Sequence, residues 1–400
     1  MTKKCHIKRG LLPYAFTMLP LLSGCGGGGG GSSIANEPPV MSSASSAASS
    51  QSSSSSISSS STSSALAQST YKVIKIPAPS LSSNIINETA QRDIAVYLPK
   101  EYSTSDALLP VVYYLPGFGD STMINMALPN DLDLAVSSSA PMIIVIISGV
   151  NRFGGSFFVN SSVTGNWSDF VAKDVVNYVD THYRTIPKSS GRGISGHSMG
   201  GFGALNIAMR NPDVFGAVFS ISPGLVGAKG IEDTQIFDST SHIKSFITII
   251  DPFKNVNDSA ALNALDSYSQ SFDIGFDIAY GMAFAPAKTP PYFEYPYKLV
   301  NSSLVRDDVI MAKWEAGFGN IHNEVAEFSA NLGSLKAIGL DCGLNDEYQW
   351  ILRGCDYYNT ELKAAGINLA YTTHSGMHQD KIRQRIIDVM LPFFSKNLNN

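Results

Sequence analysis

The hydrophobic residues of this chain fall into short runs that predict the strands of a sheet. Positions 92–98 carry apolar residues at alternate places, and 71–76 is a second candidate of the same kind. The runs 111–115 and 142–147 are apolar throughout and rich in β-branched or aromatic residues. Continuous runs of this kind are typical of strands that are buried on both faces of a mainly parallel sheet.

Helical periodicity separates several of these strand candidates. Over 167–183, apolar residues recur at the spacing of one helix face, which predicts an amphipathic helix. Alternation of strands with helices predicts an α/β fold with a doubly wound, mostly parallel sheet. The later chain keeps this alternation, with strand candidates at 191–195, 215–221, 336–342 and 368–371 and helix candidates at 202–210, 358–365 and 380–394.

The alternation breaks over about 225–335. This segment is longer than a crossover between two strands needs, so we interpret it as an inserted cap. It contains the proline and aromatic cluster PPYFEYPY at 290–297. Its aromatic residues either line a substrate pocket or form the core of the cap itself, and the second role is expected for most of them. The residues in question are Tyr292, Phe293, Tyr295, Tyr297 and Trp314.

Residues 1–24 have the features of a targeting segment. A basic stretch precedes a short apolar run at 11–22, which is too short and too interrupted by prolines to be a good membrane span. The run ends in LSGC, which resembles a bacterial lipobox. We therefore expect residues 1–24 to be a lipoprotein signal peptide and Cys25 to be lipidated. An ordinary secretory signal and an uncleaved membrane anchor are the alternatives.

Residues 25–66 are dominated by glycine and serine. Such a segment has too little apolar surface to offset its ordering entropy, which predicts a flexible tether. The glycine run at 26–31 follows no strand and precedes no helix, so it does not resemble a phosphate-binding loop. Residues 67–400 have a globular composition and are long enough for one large α/β domain with an insertion.

The charge of the chain is mildly acidic. The formal net charge is −5, and loss of the four basic residues of the signal would bring it to −9. No basic run follows the signal, so nothing favours nucleic acid as a partner. We expect the mature protein at the bacterial cell envelope, with the outer membrane as the preferred site, or secreted. Contact with the membrane would be through the lipid anchor alone.

Two cysteines, Cys342 and Cys355, remain in the globular part of the chain. In an oxidising envelope they would be able to form a disulfide. Two unlinked thiols, one of them buried at a strand end, are the equal alternative.

The sequence GHSMGG at 196–201 contains the nucleophile pattern G-x-S-x-G. The pattern alone is weak in a chain with 34 glycines, so its surroundings decide. A strand candidate enters it and a helix candidate leaves it, as in a nucleophile elbow. That turn is so tight that the positions two residues either side must be small, which Gly196 and Gly200 satisfy. We predict Ser198 as the nucleophile, against an ordinary glycine turn with an incidental serine.

Stabilisation of a tetrahedral oxyanion needs two backbone N–H groups. Met199 follows the nucleophile directly and is the first predicted donor. The second should come from a loop after an earlier strand, and the glycines of LPGFGD at 115–120 permit close backbone approach. Phe118 is the second predicted donor, with an ordinary glycine turn as the alternative.

The general base is expected to be a histidine that follows the serine in the chain. His242 and His322 fall in the predicted cap, whereas His374 and His378 follow the last strand candidate, where catalytic groups gather. The acid should follow the strand candidate at 336–342. The candidates are Asp341, which lies within the strand, Asp346, which lies in the loop after it, and Glu347. We prefer Asp346 because a loop carboxylate can turn toward the histidine.

Five segments of the chain occur in an order that resembles one known family. They are LPGFG at 115–119, NW at 166–167 through YRT at 183–185, GHSMGG at 196–201, DCGLND at 341–346 and GMH at 376–378.

Together these segments resemble the esterase D-like "putative esterase" family, which includes feruloyl esterases, S-formylglutathione hydrolase and the mycolyltransferases. The resemblance spans about 70–395 apart from the cap. It implies an α/β-hydrolase fold and hydrolysis of carboxylic esters without a cofactor, and it favours His378 over His374 as the base. One departure is Asp380, where the familiar hydrolases often carry an aromatic residue, so the resemblance implies no particular acyl specificity.

The predicted function is that of a serine esterase acting through an acyl-enzyme, with Ser198, His378 and Asp346 as its triad. The poly-serine linker resembles those of polysaccharide-degrading enzymes, so acetyl or feruloyl esters of polysaccharide are the expected substrates. An acyltransferase of the mycolyltransferase type is one alternative, and a non-catalytic binding protein on a hydrolase scaffold is another. No sequence signature of a metal site appears, since HExxH and CxxC patterns are missing and the histidines are scattered.

Overall fold

The computed structural model describes residues 68–120, 132–133 and 139–398, and the structural statements below concern these residues. They all fall within one compact unit, Ser64–Asn400. The signal segment 1–24, Cys25 and the tether at 25–66 lie outside the described residues, so lipidation and tethering stay predictions.

Eight strands of the described residues form one sheet, in the spatial order β1-β2-β4-β3-β5-β6-β7-β8. The six strands from β3 to β8 are parallel to one another, whereas β2 is antiparallel to both of its neighbours. The prediction of an α/β-hydrolase fold with a mostly parallel sheet is confirmed. The strands are β1 (Thr70–Pro77), β2 (Gln91–Leu98), β3 (Val111–Leu115), β4 (Ile143–Ile147), β5 (Arg192–His197), β6 (Ala217–Ile221), β7 (Ala337–Gly343) and β8 (Ala370–His374).

Strand β3 illustrates why continuous apolar runs fold into this sheet. Successive side chains of a strand point to opposite faces. Val111, Tyr113 and Leu115 therefore join one buried cluster, while Val112 and Tyr114 join the other. Both faces of the central strands are covered, so every position in the run is apolar. The carboxyl ends of β3, β5, β6, β7 and β8 lie at one edge of the sheet, where loops can bring distant residues together.

Helices lie along the sheet, and two contain π-helical segments. The helix predicted at 167–183 consists of Trp167–Asp169, the π-helical Phe170–Val175 and Val176–His182. The closing helix consists of Ile382–Arg385, the π-helical Ile386–Met390 and Leu391–Asn397.

Two further helices flank the later strands. The helix that follows β5, Met199–Arg210, is called the elbow helix below, and Gln349–Ala364 follows β7. None of the helices described here has both the length and the apolar character that crossing a bilayer requires.

The cap, residues 225–335, lies between β6 and β7 in the chain. Side-chain oxygens of Ser239, Asn257 and Asp307 accept backbone N–H groups at the starts of three of its helices, which fixes where those helices begin. The cap contains helices Thr240–Ile250, Asp258–Tyr268, Phe272–Phe284, Asp308–Glu315, Ile321–Glu327 and Ser329–Ser334, and a hairpin of Tyr297–Val300 and Ser303–Arg306.

Most predicted aromatic residues of the cap belong to its interior. Tyr292, Phe293 and Trp314 are buried in the same cluster as one face of the sheet. The Trp314 ring meets the rings of Phe293 and Tyr295 at centroid distances of 6.3 and 5.5 Å. The cap therefore packs on the sheet through its own aromatic core.

Several element boundaries differ from the expectations by a few residues, and two of the differences have a clear physical reason. The helix expected at 358–365 begins nine residues earlier, at Gln349, because Trp350, Ile351 and Cys355 extend its buried face. The strand expected at 368–371 is Ala370–His374. It is the edge strand of the sheet and none of its residues is fully buried, so its apolar pattern marks its position weakly.

The remaining elements are single turns or very short pairs. They are Pro79–Leu81, Glu101–Thr104, Ser189–Gly191, Ile231–Asp233 and Asp251–Asn255, with a small antiparallel pair of Asn160–Ser161 and Gly165–Asn166.

Cys342 at the end of β7 and Cys355 in the following helix are joined by a disulfide. Both residues are fully buried, and the bond closes a loop with a sequence separation of 13 residues. This loop carries the predicted acid, Asp346. The disulfide therefore ties that loop to the sheet at both ends.

We predict that loss of this disulfide lowers the free energy of unfolding by about 3 kcal/mol, because a closed loop of this length restricts the unfolded chain. The measurement is urea denaturation of the wild type and of Cys342→Ser/Cys355→Ser, each with and without reductant. Reductant should destabilise the wild type and leave the double variant unchanged. A Cys342–Cys355 peptide pair should appear in a non-reducing digest, and its absence would contradict the disulfide.

Candidate active site

Ser198 lies in the tight turn between β5 and the elbow helix. Its backbone has φ 55° and ψ −119°, a conformation that costs energy for a residue with a Cβ. Three hydrogen bonds hold it: the Ser198 N–H donates to the Ile221 carbonyl at 3.0 Å, and the Ser198 carbonyl accepts from Phe202 and Gly224 at 3.0 and 3.2 Å. The turn therefore displays the serine side chain above the carboxyl edge of the sheet.

The two glycines of the motif are required by backbone contacts. A methyl group on Gly200 would overlap the carbonyl oxygen of Leu115, and one on Gly196 would overlap the carbonyl of Gly200. The elbow helix and strand β3 therefore approach so closely that no side chain fits between them. This is the physical reason for the small residues that the motif predicted.

Ser198, His378 and Asp346 form one continuous chain of hydrogen bonds. The His378 Nε2 atom lies 2.9 Å from the Ser198 hydroxyl oxygen, and its Nδ1 atom lies 2.8 Å from the Asp346 Oδ2 atom. The three residues follow β5, β8 and β7, whose carboxyl ends meet at this edge. Histidine and aspartate are buried, and the serine lies at the surface of a cleft.

The Asp346 carboxylate has a second fixed contact. Its Oδ1 atom accepts the backbone N–H of Tyr348 at 2.9 Å, while Oδ2 meets the His378 ring. Glu347, the reserve candidate, instead accepts the backbone N–H of His378 through Oε2 at 3.0 Å. Asp346 therefore contacts the imidazole ring of His378, whereas Glu347 contacts the backbone of the same residue.

Asp341, the other candidate acid, is engaged elsewhere. Its fully buried carboxylate accepts two hydrogen bonds from the Arg385 guanidinium, at 2.8 and 2.6 Å, and one from the Thr372 hydroxyl at 2.6 Å. The hydrogen bonds from the arginine to Asp341 raise the pKa of Arg385. Asp341 is therefore the buried partner of a structural ion pair with the closing helix.

The other candidate histidines lie apart from the serine. His374 lies 3.6 Å from the Asp341 carboxylate, and burial lowers its pKa. In the cap, His242 contacts the buried Asp277 carboxylate at 2.6 Å, and His322 pairs with Glu361 at the surface. The hydrogen bond to Asp277 raises the pKa of His242.

His197 was not a predicted site residue, yet it holds the backbone of His378. Its Nε2 atom lies 2.9 Å from the His378 carbonyl oxygen, and the two rings are 4.7 Å apart. Burial lowers the pKa of His197 well below its usual value, so its ring stays neutral and donates from Nε2. His197 and Glu347 therefore hold the backbone carbonyl and the backbone N–H of His378.

The two predicted oxyanion donors lie next to the serine. Met199 is the first residue of the elbow helix, where backbone N–H groups have no partner within the helix. Phe118 lines the same cleft as Ser198, and among the described residues its N–H donates to no backbone carbonyl. The following residue, Gly119, anchors the loop by donating to the Gly154 carbonyl at 2.9 Å. Their role as oxyanion donors remains a prediction.

Above the serine lies a cleft of about 500 Å³, part of which is open to solvent. The cap contributes the aromatic rings of Phe272, Phe276 and Phe318 to its walls. The chain after β7 adds Tyr348 and Trp350, and burial raises the pKa of Tyr348. Polar side chains are interspersed among them: Asp120, His197, Gln235, His378 and Gln379.

The aromatic walls of the cleft are not the residues that composition singled out. The dense cluster at 290–297 attracts attention in the sequence but supplies the core of the cap. The cleft residue Phe276 lies in helix Phe272–Phe284 of the cap. Trp350 lies in a helix that was predicted to begin later. Among the described residues, no three His, Cys, Asp or Glu side chains are grouped so as to hold a metal ion.

We predict that Gly200→Ala lowers the free energy of unfolding by at least about 2 kcal/mol, because the new methyl group overlaps the Leu115 carbonyl. The matched control is Gly333→Ala, in helix Ser329–Ser334, where a methyl group meets nothing within 4 Å. That control should be neutral or stabilising by up to about 1 kcal/mol. Urea denaturation measures both, and equal effects of the two substitutions would contradict the close contact at the elbow.

Comparison with known families connects this geometry to the esterases. The sequence model of the family described as "Putative esterase" matches residues 83–268, which include the predicted oxyanion loop and Ser198. Two curated proteins of Mycobacterium tuberculosis strains, each named an esterase, are 34% identical over 119 residues. That match covers 29% of this chain and 26% of each relative, so the chain spans about a quarter of the length of the curated relatives it matches.

Solved structures share the fold over most of the chain. A ferulic acid esterase aligns at a TM-score of 0.54 with 19% identity, covering 83% of this chain and 99% of its own. An S-formylglutathione hydrolase from Agrobacterium tumefaciens aligns at 0.50 with 17% identity, covering 84% and 97%. A fluorophosphonate-binding serine hydrolase of Staphylococcus aureus aligns at 0.50 with 14% identity, covering 83% and 100%.

At such identities the structural likeness speaks for the fold. The resemblance predicted from the motifs is confirmed: residues 83–268 match the putative esterase family, and the chain around them has the α/β-hydrolase fold.

Proposed function

We propose that this protein is a serine hydrolase of carboxylic esters. The observation that carries the proposal is the chain of hydrogen bonds from Ser198 through His378 to Asp346, which ends at an open cleft. Nothing in the packing of the sheet requires a buried histidine between a carboxylate and a strained serine. A nucleophile, a base and a carboxylate that orients the base are what acyl transfer requires.

The first step forms an acyl-enzyme. His378 Nε2 accepts the hydroxyl proton of Ser198 while the serine oxygen bonds to the ester carbonyl carbon. The resulting oxyanion accepts hydrogen bonds from the N–H groups of Phe118 and Met199. The bond from the carbonyl carbon to the alcohol oxygen then breaks, and His378 returns its proton to that oxygen, so the alcohol leaves.

The second step releases the acid. A water molecule gives a proton to His378 and its oxygen bonds to the acyl carbon, after which the bond to Ser198 breaks and the serine recovers its proton. Asp346 stays ionised throughout and stabilises the imidazolium at each stage. His197 is neutral beside His378 and therefore adds no positive charge that would oppose imidazolium formation.

We propose acetyl or feruloyl esters carried on polysaccharide as the substrates. The aromatic walls of the cleft suit a planar acyl group, since rings stack favourably on rings. A ferulic acid esterase is among the proteins that share the fold. The serine-rich segment at 42–64 supports a role on polysaccharide by its likeness to linkers of secreted polysaccharide-degrading enzymes.

We also propose that lipidation of Cys25 holds the enzyme at the bacterial cell envelope. The support is the LSGC sequence at the end of the apolar run and the long serine-rich segment that follows it. When the chain is expressed in a bacterium fed a tagged fatty acid, the wild type should carry the tag and Cys25→Ser should not. Equal labelling of both proteins would contradict lipidation at this cysteine.

The central prediction concerns turnover of p-nitrophenyl acetate, p-nitrophenyl butyrate and methyl ferulate. Ser198→Ala should lower kcat/KM by at least about 10³-fold, because the nucleophile is lost while the fold is kept. His378→Asn should lower kcat/KM by a similar factor. His374→Asn should keep kcat/KM within about threefold of the wild type, since His374 lies beside Asp341. Steady-state kinetics with folded proteins, checked by thermal denaturation, measures all three.

The outcomes separate the proposed hydrolase from its alternatives. A large loss in His374→Asn with an active His378→Asn would contradict the assignment of the base. A folded wild type that reacts with a fluorophosphonate at Ser198 yet hydrolyses no ester would favour an acyltransferase. A folded wild type that does neither would favour a binding protein on a hydrolase scaffold.

A further inference from the structure

The cap contributes one carboxamide, Gln235, to the cleft above Ser198. We propose that Gln235 determines specificity by donating a hydrogen bond from its amide nitrogen to an oxygen on the aromatic group of the ester. The inference rests on the proposed esterase function and adds a residue and a chemical requirement to it. It also gives the cap a role in choosing the substrate.

The orientation of the Gln235 amide is determined by its neighbour. The indole N–H of Trp350 lies 2.7 Å from the Gln235 Oε1 atom. An indole nitrogen can only donate, so the amide must present its oxygen to the tryptophan and its nitrogen away from it. The Gln235 Nε2 atom therefore lies on the side of the carboxamide away from Trp350, in the same plane, and its two N–H donors are not used by the indole.

These two donors have no protein partner among the described residues. The bond from Trp350 is the one hydrogen bond that the Gln235 side chain makes there, and it uses the oxygen. Gln235 is partly exposed and lines the cleft together with Ser198 and the aromatic walls. A ligand that fills the cleft displaces water from this amide, so an acceptor on the ligand is needed to replace the hydrogen bonds that the amide loses.

The Trp350 ring and the chain on either side of Gln235 are both packed. Trp350 is 7% exposed and its ring stacks on that of Phe318, with centroids 5.9 Å apart and planes inclined by 26°. On the cap side, the neighbours Thr234 and Ile236 are buried and anchor the segment. The hydrogen bond from the packed indole therefore favours one orientation of the Gln235 amide before the substrate arrives, which favours selectivity.

The chemistry of the cleft defines the group that it would hold. Phe276, Phe318, Tyr348 and Trp350 line the cleft, and such a lining suits a planar aromatic group. The Gln235 donors add a requirement for an acceptor on that group, such as an ether or hydroxyl oxygen. An unsubstituted ring would cover the amide nitrogen without replacing its hydrogen bonds to water, and would bind less well.

The test compares esters that differ by such oxygens. For the acyl side, kcat/KM is measured for methyl 3,4-dimethoxycinnamate and methyl cinnamate. For the alcohol side, 4-methoxyphenyl acetate is compared with phenyl acetate. Methoxy oxygens accept hydrogen bonds and cannot donate, so a preference for them reports a donor in the protein. The side that shows the preference identifies which part of the ester lies against Gln235.

The informative variant is Gln235→Glu. A carboxylate still accepts the Trp350 N–H and keeps nearly the same shape, but it has no N–H to donate. The full-length wild type should prefer the methoxy ester about 10-fold in one of the two series, as expected for one hydrogen bond. Gln235→Glu should reduce that ratio to about 1, because it removes the donor for both members of the pair alike.

The same comparison can be made without turnover. Calorimetry with Ser198→Ala and Ser198→Ala/Gln235→Glu gives the Kd of each ester directly, and the methoxy preference should be present in the first and lost in the second. An equal ratio in both proteins, by kinetics and by calorimetry, would overturn the role of Gln235 and leave the esterase intact. Absence of any Ser198-dependent turnover in the wild type would instead contradict the esterase proposal, while the calorimetric ratio would still test Gln235.

Discussion

The strained turn at Ser198 is the constraint on which the rest of the site depends. Its positive φ is held by hydrogen bonds from Ser198 to β6 and to the chain just beyond it. The turn is possible only because Gly196 and Gly200 allow the elbow helix to touch the end of β3. This close approach brings the predicted oxyanion loop next to the nucleophile, since that loop begins where β3 ends.

The histidine and the acid reach the same point from two further parallel strands. His378 is held by three groups from two segments: Asp346 on its ring and Glu347 on its N–H, both from the loop after β7, and His197 on its carbonyl. The disulfide closes the loop that carries both carboxylates. Positioning of the imidazole is therefore a property of the sheet edge as a whole, and the cap is left to shape the cleft above it.

The sequence predicted the parts of this arrangement that local rules decide. The continuous apolar runs marked the buried strands, and the spacing of glycines around Ser198 marked the elbow. Asp341 and Asp346 could be distinguished because one lies within a strand and the other in a loop. In the structure the strand residue faces the closing helix and pairs with Arg385.

What the sequence could not predict depends on contacts between distant segments. Gln235 and Trp350 are separated by 115 residues and are joined by one hydrogen bond in the lining of the cleft. Neither belongs to a motif, and the aromatic cluster at 290–297 drew attention to residues that fill the cap instead. The role of His197 also escaped detection, because it depends on a backbone carbonyl 181 positions away.

The most direct test of the account is covalent labelling of the folded protein with a fluorophosphonate, followed by mass spectrometry of the digested chain. If the hydrogen-bonded chain activates the serine, one adduct should form on Ser198, and Asp346→Asn should slow its formation by orders of magnitude. Labelling that falls on another residue, or that proceeds equally fast in Asp346→Asn, would contradict the claim that these three side chains act together.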